Sequence, residues 1–269
     1  MVIQQAGSGR GGSRSGRVFA VQAAFSTIGR PTARLAELAK ASGLDDSTVS
    51  RILQAGVYDG YFIRPERGVY ALGPGIARLG FQASMAYGHD GDAATTHLQE
   101  LHRVTDKGLV LLYMASPYGL TRQCVDMAVG DSDLMELGWT PRDMLSITRS
   151  LRVGAPGRAI LAYLPQLMQD QVLATPLPAR AGPGAFRDDN ALQASLHAIH
   201  DTGYAVGYEE CVPGWHSVAA PIFWGDSVMG AVLLLKAADV MPEPPEDYIT
   251  ATKAAAAALS RSGDAGQGA

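Results

Sequence analysis

Ser47, Thr48, Ser50, Arg51 and Gln54 fall within eight residues, spaced so that Val49, Ile52 and Leu53 take the opposite face of one helix. Hydroxyl, amide and guanidinium groups in such a row can hydrogen-bond to base edges and phosphates. A guanidinium can also read guanine through two parallel bonds. Arg64 and Arg67 follow at a Pro-Glu-Arg-Gly turn, and Arg17, Arg30 and Thr32 precede the row. The chemistry expected is the reading of duplex DNA. Thr48, Ser50, Arg51 and Gln54 are placed at base edges and Thr32, Ser47, Arg64 and Arg67 at phosphates, which fix register without specifying sequence, with Arg17 and Arg30 as further DNA contacts.

Bond-making chemistry finds less support. No Gly-x-Ser-x-Gly elbow stands in the folded region, and neither phosphate-binding glycine motif is present. The six histidines are His89, His97, His102, His197, His200 and His216. His197 and His200 can share a helix face, but no Cys or carboxylate at helical spacing completes a metal site. His216 and Ser217 suggest base and nucleophile, yet neighbours in a strand point to opposite faces. Cys124 and Cys211 stand 87 apart, too few and too distant for a disulfide scaffold. No catalytic residue, metal or cofactor is expected.

The whole chain, 269 residues with 22 basic and 26 acidic side chains, carries a formal charge of −4. That mild acidity conceals an asymmetry. Residues 1–80 hold ten Lys and Arg against five Asp and Glu, a net of +5, and the rest of the chain carries −9. Such a division suggests a basic domain for a polyanion and an acidic domain with another task. With 47% hydrophobic residues a core is available. No apolar run reaches the roughly 18 residues of a spanning helix, and the first 17 residues contain no secretory h-region. A cytoplasmic protein without membrane partners is expected.

The elements that would position the polar row are legible. Residues 1–16 are low-complexity Gly, Ser and Arg, expected as a disordered basic arm from which Arg10, Arg14 and Arg17 could reach along a groove. Val18, Val21, Ala24 and Phe25 mark a first helix over Arg17–Ser26. Gly29-Arg30-Pro31 breaks it, and Thr32 is the expected cap of a second helix over Ala33–Ala41. Gly43 ends that helix. Asp46 or Ser47 then caps a third over Thr48–Ala55. Tyr61–Arg64 and Val69–Leu72 form a hairpin around the turn Pro65–Gly68. Two short helices, a glycine turn, a polar-faced third helix and a hairpin make a winged helix-turn-helix.

At this point the stretch Leu35–Leu53, with Gly60-Tyr61-Phe62 and Tyr70-Ala71-Leu72-Gly73, resembles the DNA-binding domain of IclR-type transcriptional regulators. Three later segments, Leu151–Pro165, Gly203–Glu210 and Pro213–Ile222, are similar to that family's signatures in order and spacing. The resemblance implies an α+β protein in which a winged helix-turn-helix (17–73) is joined by a linker helix (74–92) to a GAF-like domain (93–260) with a central antiparallel sheet. A disordered tail (261–269) would follow. It implies a small-molecule effector, a homodimer or homotetramer, and a near-palindromic DNA operator. The expected effector positions are Cys124, Met127, Trp139, Val153, Gly154, Ala155, Gly157, Tyr208, Glu209, Ser217, Ala219, Leu233 and Leu235.

Gly154, Ala155 and Gly157 at a strand-to-helix turn would expose N–H groups to an anionic or carbonyl ligand. Cys124 is most simply a small buried hydrophobe. Relatives that bind small organic acids place an acid before the Glu-Glu pair and small polar residues on the last strand. Gly207-Tyr208 and Leu233 and Leu235 stand here instead. With Tyr208, Trp139, Met127 and Met135 nearby, this favours a larger or aromatic effector over a pyruvate-like one. The function expected is a ligand-responsive transcription factor, with repression the family's commoner mode.

Overall fold

The computed structural model describes residues 13–87, 91–116, 119–130, 134, 137–146, 148–241, 243 and 245–264. Met135, His89 and the expected arm as far as residue 12 lie outside them. The chain divides into two compact units, one within residues 1–88 and the other formed by the bulk of 89–269.

In the first unit α1 (Arg14–Ile28) starts three residues earlier than the apolar spacing predicts, because the Ser13 hydroxyl accepts the Gly16 N–H at 2.9 Å. Arg14 and Arg17 therefore stand on a helix. Ala33 and Arg34, expected to begin the next helix, instead form a short strand β1 (Ala33–Arg34) opposite Tyr70 and Val69. Ala33 is buried there, so pairing with the hairpin overrides helix propensity. The second helix, α2 (Leu35–Ser42), begins where Glu37 accepts the Arg34 N–H at 2.7 Å, and Thr32 does not cap it.

The third helix, α3 (Asp46–Tyr58), is capped by Asp45 rather than by Asp46 or Ser47. Its carboxylate accepts the Thr48 N–H at 2.8 Å and the Ser47 hydroxyl at 2.6 Å. The hairpin of β2 (Phe62–Glu66) and β3 (Val69–Leu72) closes on Arg67-Gly68 alone, with Pro65 inside β2 at an irregular step of an edge strand. Phe25 and Phe62 stack at 5.5 Å in a core shared with Val21, Leu38, Val49 and Leu53. The helix α4 (Pro74–Tyr87) follows the hairpin.

The second unit is built on a six-stranded antiparallel sheet, which the periodicity of period two divides between two cores. Its strands are β4 (Leu109–Ala115), β5 (Thr121–Ala128), β6 (Thr148–Ser150), β7 (Ala205–Tyr208), β8 (Trp215–Trp224) and β9 (Ser227–Ala237), in the order β6-β5-β4-β9-β8-β7. Val110, Leu112, Val232 and Leu234 face α5 (Gly91–Val104) and α10 (Glu246–Asp264). Leu109, Leu111, Tyr113 and Leu233 face the opposite core with α7 (Ala155–Leu161) and α9 (Asp189–Thr202). Two further helices, α6 (Pro141–Ser146) and α8 (Gln166–Leu173), complete that side. The fold is thus α+β, a helix-turn-helix unit and a sheet unit, and α10 runs on to Asp264 through part of the expected tail.

Candidate nucleic-acid interface and ligand cavity

Helical rotation sorts the polar row of α3 into two groups. Ser47, Arg51 and Gln54 are exposed and Ser50 is half-buried. Thr48 is only 7% exposed, on the stripe it shares with Ile52. Its hydroxyl accepts from the Arg51 guanidinium at 3.4 Å and so steadies the neighbouring side chain. Tyr58, 92% exposed and one turn beyond Gln54, extends the same face. Sequence reading passed it over, although the i, i+4 spacing from Gln54 was available.

The other expected phosphate contacts are spread around this helix. Arg67 is exposed at the hairpin tip, and Arg64 lies over the Tyr70 ring at 5.8 Å. Thr32 is exposed, whereas Arg30 is held in an ion pair with Glu37. Arg14, Arg17 and Arg51 border one groove beside Phe19 and Leu79. An exposed polar helix face with arginines on a neighbouring helix and hairpin is a surface that can meet a phosphate backbone and read a groove.

A cavity of about 50 Å³ opens on the α7 side of the large sheet. Leu111, Tyr113, Leu233 and Leu235 form its floor; Leu137, Trp139, Met144, Val212 and Trp215 form its walls. The polar groups are few: Arg122, Arg149, Glu210, Cys211 and Ser217. Apolar walls with a small number of polar anchors suit an organic ligand. Arg122 lies 5.1 Å from the Tyr113 ring, and Arg149 lies 5.0 Å from the Trp139 ring. Burial pushes the Tyr113 hydroxyl and the Cys211 thiol above their ordinary ranges, with Arg122 opposing both shifts.

The turn into α7 is filled from within. Gly154, at φ 83°, is a conformation that side chains rarely adopt, and a Cβ there would stand 2.5 Å from Cys211 Sγ. Its N–H donates to Glu210 Oε2 at 3.0 Å, and Arg158 donates through Nε to the same oxygen at 3.1 Å. A second Arg158 nitrogen pairs with Glu210 Oε1. The Gly154 N–H, one of those expected to meet a ligand, therefore serves a carboxylate of the chain itself. Gly182 and Gly184 pack closely on the end of β7 and the bend after it that carries Glu210, where the Gly182 N–H donates to Glu210 O at 2.7 Å.

Of the thirteen expected effector positions, Trp139, Ala155, Ser217, Leu233 and Leu235 line the cavity. Cys124 and Ala219 are enclosed in the core, and Met127 packs against it. Val153 is buried, and Gly154 and Gly157 lie behind Cys211 and Arg122, at a distance where no side chain fits. Tyr208 is 43% exposed and packs edge-on against His216 at 4.9 Å. Glu209 takes a positive φ of 51° at the strand end, so that Glu210, not Glu209, turns inward. Arg122, Arg149, Tyr113, Cys211 and Trp215 also line the cavity and were missed; strand register brings the four strand residues together, and the β7–β8 connection adds Cys211. Ser217 donates to Gly207 O at 3.2 Å while His216 lies across the sheet, 3.4 Å from Glu243, so the two form no nucleophile and base pair.

Among the described residues no three His, Cys, Asp or Glu side chains gather for a metal, and no helix is long and apolar enough to cross a membrane. Comparison with known proteins agrees with this geometry. The sequence model of the IclR helix-turn-helix domain matches residues 16–61, and that of the bacterial transcriptional regulator IclR C-terminal domain matches 147–261. No curated protein sequence matches closely enough to count as a relative.

Solved structures share the fold. The IclR homologue of Microbacterium hydrocarbonoxydans, in complex with 4-hydroxybenzoate, has 20% identity and a TM-score of 0.58 over 94% of this chain and 100% of its own. Thermotoga maritima IclR gives 21% and 0.58 over 92% and 97%. An IclR-type regulator of Alicyclobacillus acidocaldarius gives 23% and 0.57 over 92% and 98%.

Proposed function

This chain belongs to the IclR family of bacterial transcriptional regulators, and on that premise we propose that it is a repressor released or recruited by a small apolar or aromatic effector. The observation that carries the reading is the pairing, in one chain, of an exposed Ser47–Arg51–Gln54 face with a largely apolar cavity lined by Trp139, Trp215 and Tyr113. The first is a DNA-reading surface, with Ser50 at its edge and Arg17, Arg64 and Arg67 available to phosphates. The second, with apolar walls and few polar anchors, suits a bound small organic molecule. The 4-hydroxybenzoate complex of a relative of the same fold supports an aromatic occupant.

One recognition helix per chain reads one half-site, so a dimer or tetramer on a near-palindrome is the expected assembly. An effector changes operator affinity only through differential contact with two states, typically about 1–3 kcal/mol of coupling. The test is a titration of fluorescent duplexes from the DNA flanking the chain's own gene, at fixed salt, with and without benzoate-type ligands. Specific binding that shifts about five-fold or more with ligand is expected. Specific binding indifferent to every ligand that occupies the cavity would mean a constitutive DNA binder whose second unit only assembles the oligomer.

A further inference from the structure

We propose that Tyr58, the last residue of α3, is a further DNA contact, whose phenol hydroxyl donates to a backbone phosphate on the wall of the groove that Arg51 and Gln54 read. The inference rests on reading α3 as the recognition helix. It extends the footprint of that helix by one turn, with an anchor that fixes register and carries no base preference.

Position on the helix comes first. At about 100° per residue, Tyr58 projects within roughly 20° of Ser47 and Arg51 and about 40° of Gln54, so one stripe carries all four. Val49 and Leu53 take the opposite side and are buried in the core of the unit. Tyr58 is 92% exposed, against 37% for Val57 at the edge of the stripe. Among the described residues its ring joins no aromatic pair and its hydroxyl no hydrogen bond. An isolated exposed aromatic side chain needs no partner. What singles out Tyr58 is its continuity with the reading stripe.

The distance along the helix decides which part of the duplex it meets. Seven residues at about 1.5 Å each put Tyr58 roughly 10 Å beyond Arg51. The major groove is about 12 Å wide, and a straight helix centred on Ser47–Gln54 leaves its floor as the duplex curves away. The end of that helix stands over the sugar-phosphate wall. Tyrosine suits the place, because its apolar body can lie against deoxyribose while the hydroxyl reaches a phosphate oxygen. The local charge agrees. The acidic neighbour Asp59 lines instead the groove bordered by Arg14 and Arg17. Residues 1–80 carry ten basic side chains against five acidic ones.

The experiment measures binding of the full-length protein to fluorescent duplexes from the DNA flanking the chain's own gene, and to single-base variants of the duplex bound specifically, across a salt series. Tyr58→Phe removes only the hydroxyl and is expected to weaken binding by about three- to tenfold, equally for every base variant. Tyr58→Ala should lose at least as much, and both should keep the wild-type thermal midpoint because the ring is exposed. A neutral donor displaces no counterion, so the slope of log K against log salt should stay at the wild-type value in Tyr58→Phe, whereas Arg67→Ala makes it shallower by about one. Wild-type affinity in Tyr58→Phe overturns the proposal. So does a loss confined to one base pair, which would make Tyr58 a base reader, or an altered oligomeric mass, which would put the ring between copies of the chain. Arg51→Ala is the reference: if it weakens specific binding while Tyr58→Phe does not, this inference alone fails. If Arg51→Ala binds as the wild type does, or the wild type binds none of the duplexes, the recognition-helix reading fails and takes this inference with it.

Discussion

Glu210 and Arg158 form an ion pair in which the two side chains are 3% and 4% exposed, and the same carboxylate accepts the N–H of Gly154 at the start of α7. The pair sets the character of the cavity beside it. The Gly154 N–H at that helix start is satisfied by the chain itself, and of the charged side chains that line the cavity, Arg122, Arg149 and Glu210, the carboxylate is already paired with Arg158.

Breaking this pair on one side should be expensive. Glu210→Gln leaves the Arg158 guanidinium uncompensated and is expected to destabilise the second unit by about 3–5 kcal/mol. Arg158→Met combined with Glu210→Met removes both charges, and its loss should fall below the sum of the losses of the single variants Arg158→Met and Glu210→Met. Urea unfolding of the three variants, analysed as a double-mutant cycle, measures the coupling; strict additivity would show that the pair carries no joint energy.

On the recognition helix, Arg51→Ala should remove at least about 1 kcal/mol of specific operator binding while affecting non-specific binding less. Thr48→Val probes a different role. Its hydroxyl is buried and reaches Arg51 at 3.4 Å, so the variant should relax discrimination at the position Arg51 reads and leave the other positions unchanged. A binding matrix over single-base operator variants separates the cases. A change at a base pair that Arg51→Ala does not affect would put Thr48 itself at the DNA.

The two units differed in how far residue order could reveal them. The helix-turn-helix is made of local elements, and apolar spacing with glycine breaks locates its helices to within a few residues. The errors there were tertiary: Ala33 and Arg34 left their helix to pair with Tyr70 and Val69, and Asp45 displaced the expected caps. The cavity is different. Arg122 and Arg149 lie 27 positions apart in the chain and meet through a strand pair, with β6 only three residues long and without periodic signal. Glu210 rather than Glu209 faces inward because of one positive φ, which no pattern in the sequence announces. Core positions such as Leu233 on the central strand were readable; a site assembled from short edge elements was not.

Acid should act first on the N-terminal end of α3. Hydrogen bonds from the Ser47 hydroxyl and the Thr48 N–H hold the Asp45 carboxyl well below the usual carboxylate range. A depressed folded pKa contributes stability that is complete above the unfolded value, near 4, and is lost as pH falls below it. Glu37, lowered chiefly by the Arg34 N–H and then by Arg30, adds in the same direction. Protection of the α3 amides, taken relative to the intrinsic exchange rate at each pH, should therefore be constant above about pH 5 and fall below it. Asp45→Asn keeps a capping oxygen without the charge, so its exchange should vary less with pH. Identical pH profiles for the two proteins would remove Asp45 as the cause.

The two thiols give an independent view of the cavity. Burial pushes Cys124 up to about 12, and pushes Cys211 up as well against the opposing guanidinium of Arg122. Both are protonated at pH 8, and since the thiolate is the nucleophile, both should react with iodoacetamide far more slowly than in the unfolded chain. Access then separates them. Cys124 is 1% exposed in the core, with its sulfur 3.4 Å from Asp126 O, whereas Cys211 is half-buried on the cavity wall. Cys211 should be labelled first, and saturating benzoate should slow it several-fold without changing Cys124. Peptide mass spectrometry over a labelling time course resolves the two sites. A benzoate-insensitive Cys211 in a protein that demonstrably binds benzoate would move the ligand away from the Arg122 wall.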